Sequence, residues 1–188
     1  MMVDIGASTL DTCTFNLNRE NGVWNYRILT ADVRLFGTYA QEWIKKAPTD
    51  GRELSLEILK NTCERMLRRI IVHTKRKRDL YSQAWHSELP ILWCGGGRYD
   101  KFYNQAKGGI ESVVQSISNG QAKFREVKIP DNLKVSCSPD YYHRLGVAWG
   151  LSFETFEIGE FTTPNQIDDM ESGFVKSYTD NFVSKDQT

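Results

Sequence analysis

Apolar and polar positions alternate in part through residues 9–17, a stretch rich in threonine and aromatics that predicts a strand. Asn21-Gly22, inside the polar segment 18–22, is a strong hairpin signal, and residues 23–30 predict the returning strand. The chain therefore opens as an antiparallel meander. The period then changes. A short helix is expected over 38–46, stopped before Pro48, and a long one over about 52–78, where Leu56, Leu59, Cys63, Met66, Leu67, Ile70 and Ile71 fall on one stripe. The mostly apolar run 89–94 ends in Gly95-Gly96-Gly97 and reads as a strand buried on both faces. A helix over 99–118 and a strand over 124–129 follow, then a Pro130-Asp131-Asn132 turn. Ser138 and Pro139 form the start of a helix expected over 139–152. From residue 155 threonine, asparagine, aspartate, serine and glutamate dominate, and 155–188 reads as an irregular extension. Strands first, then helices alternating with strands, predict an α/β sandwich around a mixed sheet.

Composition narrows the possibilities. The 188 residues suit one ordinary domain, and 24 basic residues balance 24 acidic ones, so neither nucleic acid nor an anionic membrane is an expected partner. Lys75-Arg76-Lys77-Arg78 is a basic run, but it falls at the carboxyl end of the long helix, where cations complement the helix dipole. No apolar run approaches the roughly 20 residues needed to span a bilayer. Cys13, Cys63, Cys94 and Cys137 lie far apart, and with His73, His86 and His143 they show no metal-ligand spacing. A reduced, cytoplasmic chain without structural zinc is expected. The tryptophans Trp24, Trp43, Trp85, Trp93 and Trp149 read as core or interface residues. Met1-Met2-Val3 leads straight into the first turn, which suggests a fragment or one half of a split protein.

Two segments carry candidate chemistry. In Asp4-Ile5-Gly6-Ala7-Ser8-Thr9-Leu10-Asp11 a tight turn between strands would present consecutive backbone N–H groups to an anion. Gly6 would admit a phosphate close to the backbone, Ser8 and Thr9 would add hydroxyls, and Asp4 could hold Mg²⁺ through water. The same residue types also make ordinary turns. About 90 residues later, Ile91-Leu92-Trp93-Cys94-Gly95-Gly96-Gly97 is an apolar strand running into glycines, where a flat purine could lie against bare backbone. A flexible loop would give the same triplet.

Together these segments resemble the second half of the actin, heat-shock-chaperone and sugar-kinase superfamily. The first is similar to its phosphate loop, roughly D-x-G-G-G-T-x-D, with Asp4, Gly6, Thr9 and Asp11 matching and Ala7 and Ser8 replacing glycines. If either replacement had to be left-handed, it would cost about 1–2 kcal/mol. The glycine triplet resembles the adenosine motif, with Arg98 placed to cover one face of the adenine. Cys63-Glu64-Arg65-Met66-Leu67-Arg68 resembles the C-E-R-x-x-R run of DnaK-type chaperones, in which the glutamate and last arginine reach ribose and adenine. Glu64 and Arg68 share a helix face, which also suits an exposed ion pair. Asp32 to Gly37 resembles the chaperone D-x-x-L-G-G segment, and Ser138-Pro139-Asp140 to Gly150 the closing N-P-D helix, with Asp140 near the adenine.

The resemblance covers residues 3–152. It implies a ribonuclease-H-like lobe over 1–154, with 38–88 as a helical subdomain and 155–188 as an extension. The implied ligands are ATP or ADP with Mg²⁺. The phosphate and Mg²⁺ residues would be Asp4, Gly6, Ala7, Ser8, Thr9 and Asp11, with Asp4 reaching the metal through water. The adenosine residues would be Gly95, Gly96, Gly97, Arg98, Glu64, Arg68 and Asp140. In that superfamily a first, N-terminal lobe completes the clamp and positions water, and no such lobe is in this sequence. ATPase activity is therefore expected of a two-lobed protein, with no catalytic residue in this chain alone. The C-E-R-x-x-R match favours a chaperone-like ATPase. A filament-forming actin-like protein, a small-molecule kinase and a protein-contact module that keeps the fold without nucleotide remain alternatives, the first and last implying self-assembly or a protein partner.

Overall fold

The computed structural model describes residues 1–131 and 152–170, together with 133, 134, 136, 138, 141, 142, 146 and 150. Strands β1 (Met2–Ile5), β2 (Leu10–Glu20) and β3 (Val23–Arg34) form the expected meander, turning at Asn21 and Gly22, which both take positive φ (50° and 85°). Helices α1 (Thr38–Lys46) and α2 (Arg52–His73) follow, the latter running into a π-helical turn, Thr74–Arg78. Then come β4 (Glu88–Cys94), α3 (Lys101–Ile117) and β5 (Gln121–Arg125). These elements fall within a few residues of their expected positions. The helix expected over 139–152 lies mostly outside the described residues.

The sheet has six strands in the order β5-β4-β1-β2-β3-β6, the last being Glu160–Thr162. β2 pairs antiparallel with both β1 and β3, whereas β4 runs parallel to β1 and β5 parallel to β4. The result is an α/β fold with a mixed sheet and packed helices. β6 (Glu160–Thr162) corrects the expectation that everything after residue 155 is irregular. After a short helix α4 (Thr155–Ile158) it pairs parallel with Asn25–Arg27 on the free edge of β3. The strap continues to Met170. Phe161 stacks on Tyr26 with ring centroids 4.8 Å apart, Ile167 is buried, and Arg78 grips the Pro164 and Ile167 carbonyls and the Asp169 carboxylate. Polar composition concealed these few anchors, and part of the basic run at 75–78 serves here rather than a helix dipole alone.

One face of the sheet carries the core. Val3 and Ile5 of β1, Leu10 of β2 and Ile91 and Trp93 of β4 pack against Leu59, Cys63, Met66, Leu67, Ile70 and Ile71 of α2 and Tyr103, Ala106, Ile110, Val113 and Val114 of α3. Each large aliphatic side chain so buried contributes about 1.5–3 kcal/mol. Because α2 presents the predicted stripe to this same core, the 38–88 segment shares one apolar interior with the sheet. Trp85 and Trp93 are core residues, while Trp24 and Trp43 are exposed. Strand alternation turns the neighbours of Val3 and Ile5 the other way, so Asp4 lies on the opposite face.

Candidate functional site

At the carboxyl end of β1 the chain turns away to β2, and at the carboxyl end of neighbouring β4 it departs through α3 to β5 on the other side. Such a divergence leaves a crevice beyond the strand ends, the place where open α/β sheets usually bind ligands. A cleft of ≈ 580 Å³ opens there, lined by Asp4, Gly6, Ala7, Thr9 and Asp11 from the first turn, Gly95, Gly96 and Gly97 from the second, and Thr38, Tyr39 and Glu42 from α1. The two sequence segments, about 90 residues apart, thus share one cleft.

The turns are fastened to each other. The Gly97 amide donates to the Ile5 carbonyl at 2.9 Å. Gly95 takes φ 87° and presses on Asp4 and the Ile5 backbone so closely that a methyl carbon there would lie 2.6 Å from the Ile5 nitrogen. Both the conformation and the space demand glycine. Behind the first turn stands the amino end of α1. The amides of Gly37, Thr38 and Tyr39 donate to the carbonyls of Ser8 (3.1 Å), Gly6 (3.1 Å) and Ala7 (2.8 Å). Gly37 is needed for this approach, since a side-chain carbon would sit 2.5 Å from the Ala7 oxygen. With its carbonyls engaged from behind, the turn keeps the Ala7, Ser8 and Thr9 amides without an acceptor among the described residues. At the base, Gln41 is buried against Asp100, whose carboxylate caps α3 by accepting from the Phe102 amide at 2.8 Å, so α1 and α3 are tied together.

Several expectations are corrected. Gly6, Ala7 and Ser8 are not left-handed, so the two non-glycines carry no conformational penalty, and Gly6 is not required for positive φ. Ser8 is exposed and does not line the cleft, while the Thr9 hydroxyl is committed to Asp11 Oδ2 at 3.1 Å. Arg98 is not free to cover a ligand. It is buried, donates to the Gly95 carbonyl at 3.3 Å and lies 3.9 Å from the centroid of the Tyr99 ring. Glu64 and Arg68 do share a face, but they open on a separate groove between α2 and α3 with Asn61, Gly109 and Ser112. Gly109 is eight residues along α3 from Lys101, about 12 Å at helical rise. Asp140 lies outside the described residues. Sequence reasoning missed Thr38, Tyr39 and Glu42, although the Asp32–Gly37 match ends immediately before them.

The electrostatics of the cleft are acidic at its floor. Asp4 and Asp11 face each other across the β1–β2 ladder, in register with Cys94 of β4. Burial first, and the Asp11 charge second, raise the Asp4 carboxyl above its ordinary range. Asp11 Oδ1 is buried and has no hydrogen-bond partner. Cys94 is pushed up to about 12, chiefly by burial and then by the Asp4 and Cys13 charges, and its thiol donates to the Val3 carbonyl. A thiol so held stays protonated and is no nucleophile. Among the described residues no cluster of three or more histidine, cysteine, aspartate or glutamate side chains could hold a metal, and no helix is long and apolar enough to cross a membrane.

No protein-family model matches the chain, and no curated protein or solved structure is detectably similar to it.

Proposed function

We propose that the cleft binds the phosphates of a nucleotide together with Mg²⁺, and that the chain is the ATP-binding half of a chaperone-like member of the actin superfamily with a ribonuclease-H-like core. The observation that carries this reading is the convergence of the two segments: the acidic turn at 4–11 and the glycine turn at 95–97 line one cleft at the ends of adjacent parallel strands. The antiparallel meander followed by helix–strand alternation in one mixed sheet supports the reading. Free amides at Ala7 and Thr9, both lining the cleft, are suited to phosphate oxygens.

The residues present fit a hydrated Mg²⁺. Such an ion keeps several waters and is held by one or two carboxylates plus substrate phosphates. Asp4, raised by burial and then by its acidic neighbour, and Asp11, with one buried oxygen lacking a partner, would hold it. Bound there, the ion would offset the charge of the phosphates and of the two aspartates. The adenosine end rests on the glycine turn, with Gly96 open to the cleft. Glu64 and Arg68 do not belong to this reading of the cleft.

Turnover requires oriented water and charge stabilisation together. We assign the remaining groups to a second lobe, and this chain alone to binding. Titration with Mg²⁺–ATP, followed by backbone amide NMR, tests the reading. Gly6, Ala7 and Gly95 to Gly97 should shift together with one Kd of about 0.1–1 mM. Silence of both turns up to about 10 mM would refute nucleotide binding by this half. Metal-dependent release of phosphate by the chain alone would refute the assignment of hydrolysis to two lobes.

A further inference from the structure

We propose that the groove between the end of β3 and the outer side of α2 is a binding site for a compact oxyanion, the dianionic phosphate of a small phosphate monoester. The groove measures ≈ 290 Å³. Three arginines line it, Arg34 from β3 and Arg65 and Arg69 one helical turn apart on α2, over Phe36 and Met66, with Thr62 beside them. It shares no lining residue with the cleft at the strand ends, so the inference stands apart from the nucleotide reading.

Asp32 makes this more than a set of surface cations. Its carboxylate is almost covered, at 12% side-chain exposure, and both oxygens are engaged. Oδ1 forms an ion pair with Arg34 Nε at 3.0 Å, and Oδ2 accepts from Arg69 Nη2. Two of the three guanidinium groups are thereby held in place, and Arg65 forms no ion pair among the described residues. One carboxylate among three guanidinium groups leaves a surplus of two positive charges. Cations one turn apart repel each other on a helix, so the arrangement is unfavourable until an anion arrives. Planar forks fixed in advance, with most N–H donors unused, suit the several oxygens of a phosphate better than a point charge does. The apolar floor and the small volume fit a phosphate with a short organic stem.

The probe is inorganic phosphate, titrated near neutral pH while the arginine side-chain N–H resonances and the backbone amides are recorded. The Arg34, Arg65 and Arg69 signals should saturate with one Kd on the order of 1–10 mM. As pH falls and the monoanion replaces the dianion, the affinity should fall. Arg65→Gln changes an exposed side chain and leaves the core untouched, so the fold is retained, and it should weaken binding by about tenfold. Asp32→Asn separates a built site from diffuse attraction. It removes a negative charge but releases Arg34 and Arg69, and a built site predicts weaker binding. Tighter binding by Asp32→Asn, a linear unsaturated response, unchanged affinity in Arg65→Gln, or shifts confined to residues 4–11 would each overturn the proposal.

Discussion

Gly95→Ala and Gly6→Ala alter the two glycine turns of one cleft by the same methyl group, yet the structure predicts opposite results. At Gly95 two penalties add. A non-glycine at φ 87° costs about 1–2 kcal/mol. The added carbon also meets Asp4 Oδ1 and the carbonyl and nitrogen of Ile5. Ile5 is paired in β1 and buried on the core side, so its backbone cannot yield without loosening the central ladder, and overpacking of this kind costs about 1–3 kcal/mol. A total near 3 kcal/mol is a large share of the about 5–15 kcal/mol that holds an ordinary domain. For a chain of this length it lowers Tm by about 6–12 °C. At Gly6 the new carbon would sit 3.4 Å from the Thr9 carbonyl and 3.7 Å from its hydroxyl, which is ordinary contact, and φ is not left-handed. Gly6→Ala should therefore change stability by less than about 1 kcal/mol, on the stabilising side if at all. Thermal unfolding followed by circular dichroism compares the two directly. The reasoning fails if Gly95→Ala melts within about 2 °C of the parent, or if Gly6→Ala falls as far as Gly95→Ala.

Asp4→Asn should raise Tm at neutral pH. Because burial and Asp11 raise the native carboxyl above its ordinary 3.8, the folded chain holds that proton more readily than the unfolded one. The aspartate therefore destabilises the fold progressively as pH climbs through the raised value, and the advantage of asparagine should vanish below 3.8. Millimolar Mg²⁺ should raise the parent Tm more than that of the variant. A parent that melts higher than Asp4→Asn at neutral pH without Mg²⁺ contradicts the argument. Arg78→Ala removes the grip on Pro164, Ile167 and Asp169, so hydrogen exchange should accelerate at Gln166, Ile167 and Met170 while global stability falls by no more than about 1–3 kcal/mol. Unchanged protection there would show that β6 pairing alone holds the strap.

Much of the fold was legible because its signals are local. The stripe on α2, the Asn21-Gly22 turn and the apolar run before Gly95 each report their own element. The strand order follows less directly, since nothing local states that β4 pairs with β1 rather than with β3. Candidate site residues were legible where the backbone itself matters, at the two glycine-containing turns, and illegible where a side chain must point somewhere. Arg98 illustrates the difference: its place after the triplet suggested a ligand contact, but burial under Tyr99 uses its guanidinium within the protein. Glu64 and Arg68 kept the predicted spacing, yet α2 packs along α3 and carries them to another groove. The strap at 159–170 was hidden because one ring stack, one buried isoleucine and one arginine anchor it, too few residues to alter composition.

The three amide-to-carbonyl bonds between Gly37–Tyr39 and the first turn make that turn and α1 a single lever, pivoting at the Gln41–Asp100 contact. α1 has nine residues and is about 13.5 Å long. Lys46 lies five residues, about 7.5 Å, beyond Gln41, so a tilt of about 10° there would swing the carboxyl end by roughly 1.3 Å. Trp43 rides on this arm, 77% exposed. A ligand that shifted the turn would move α1 with it at the molecular surface, where an indole emits light whose colour depends on its surroundings.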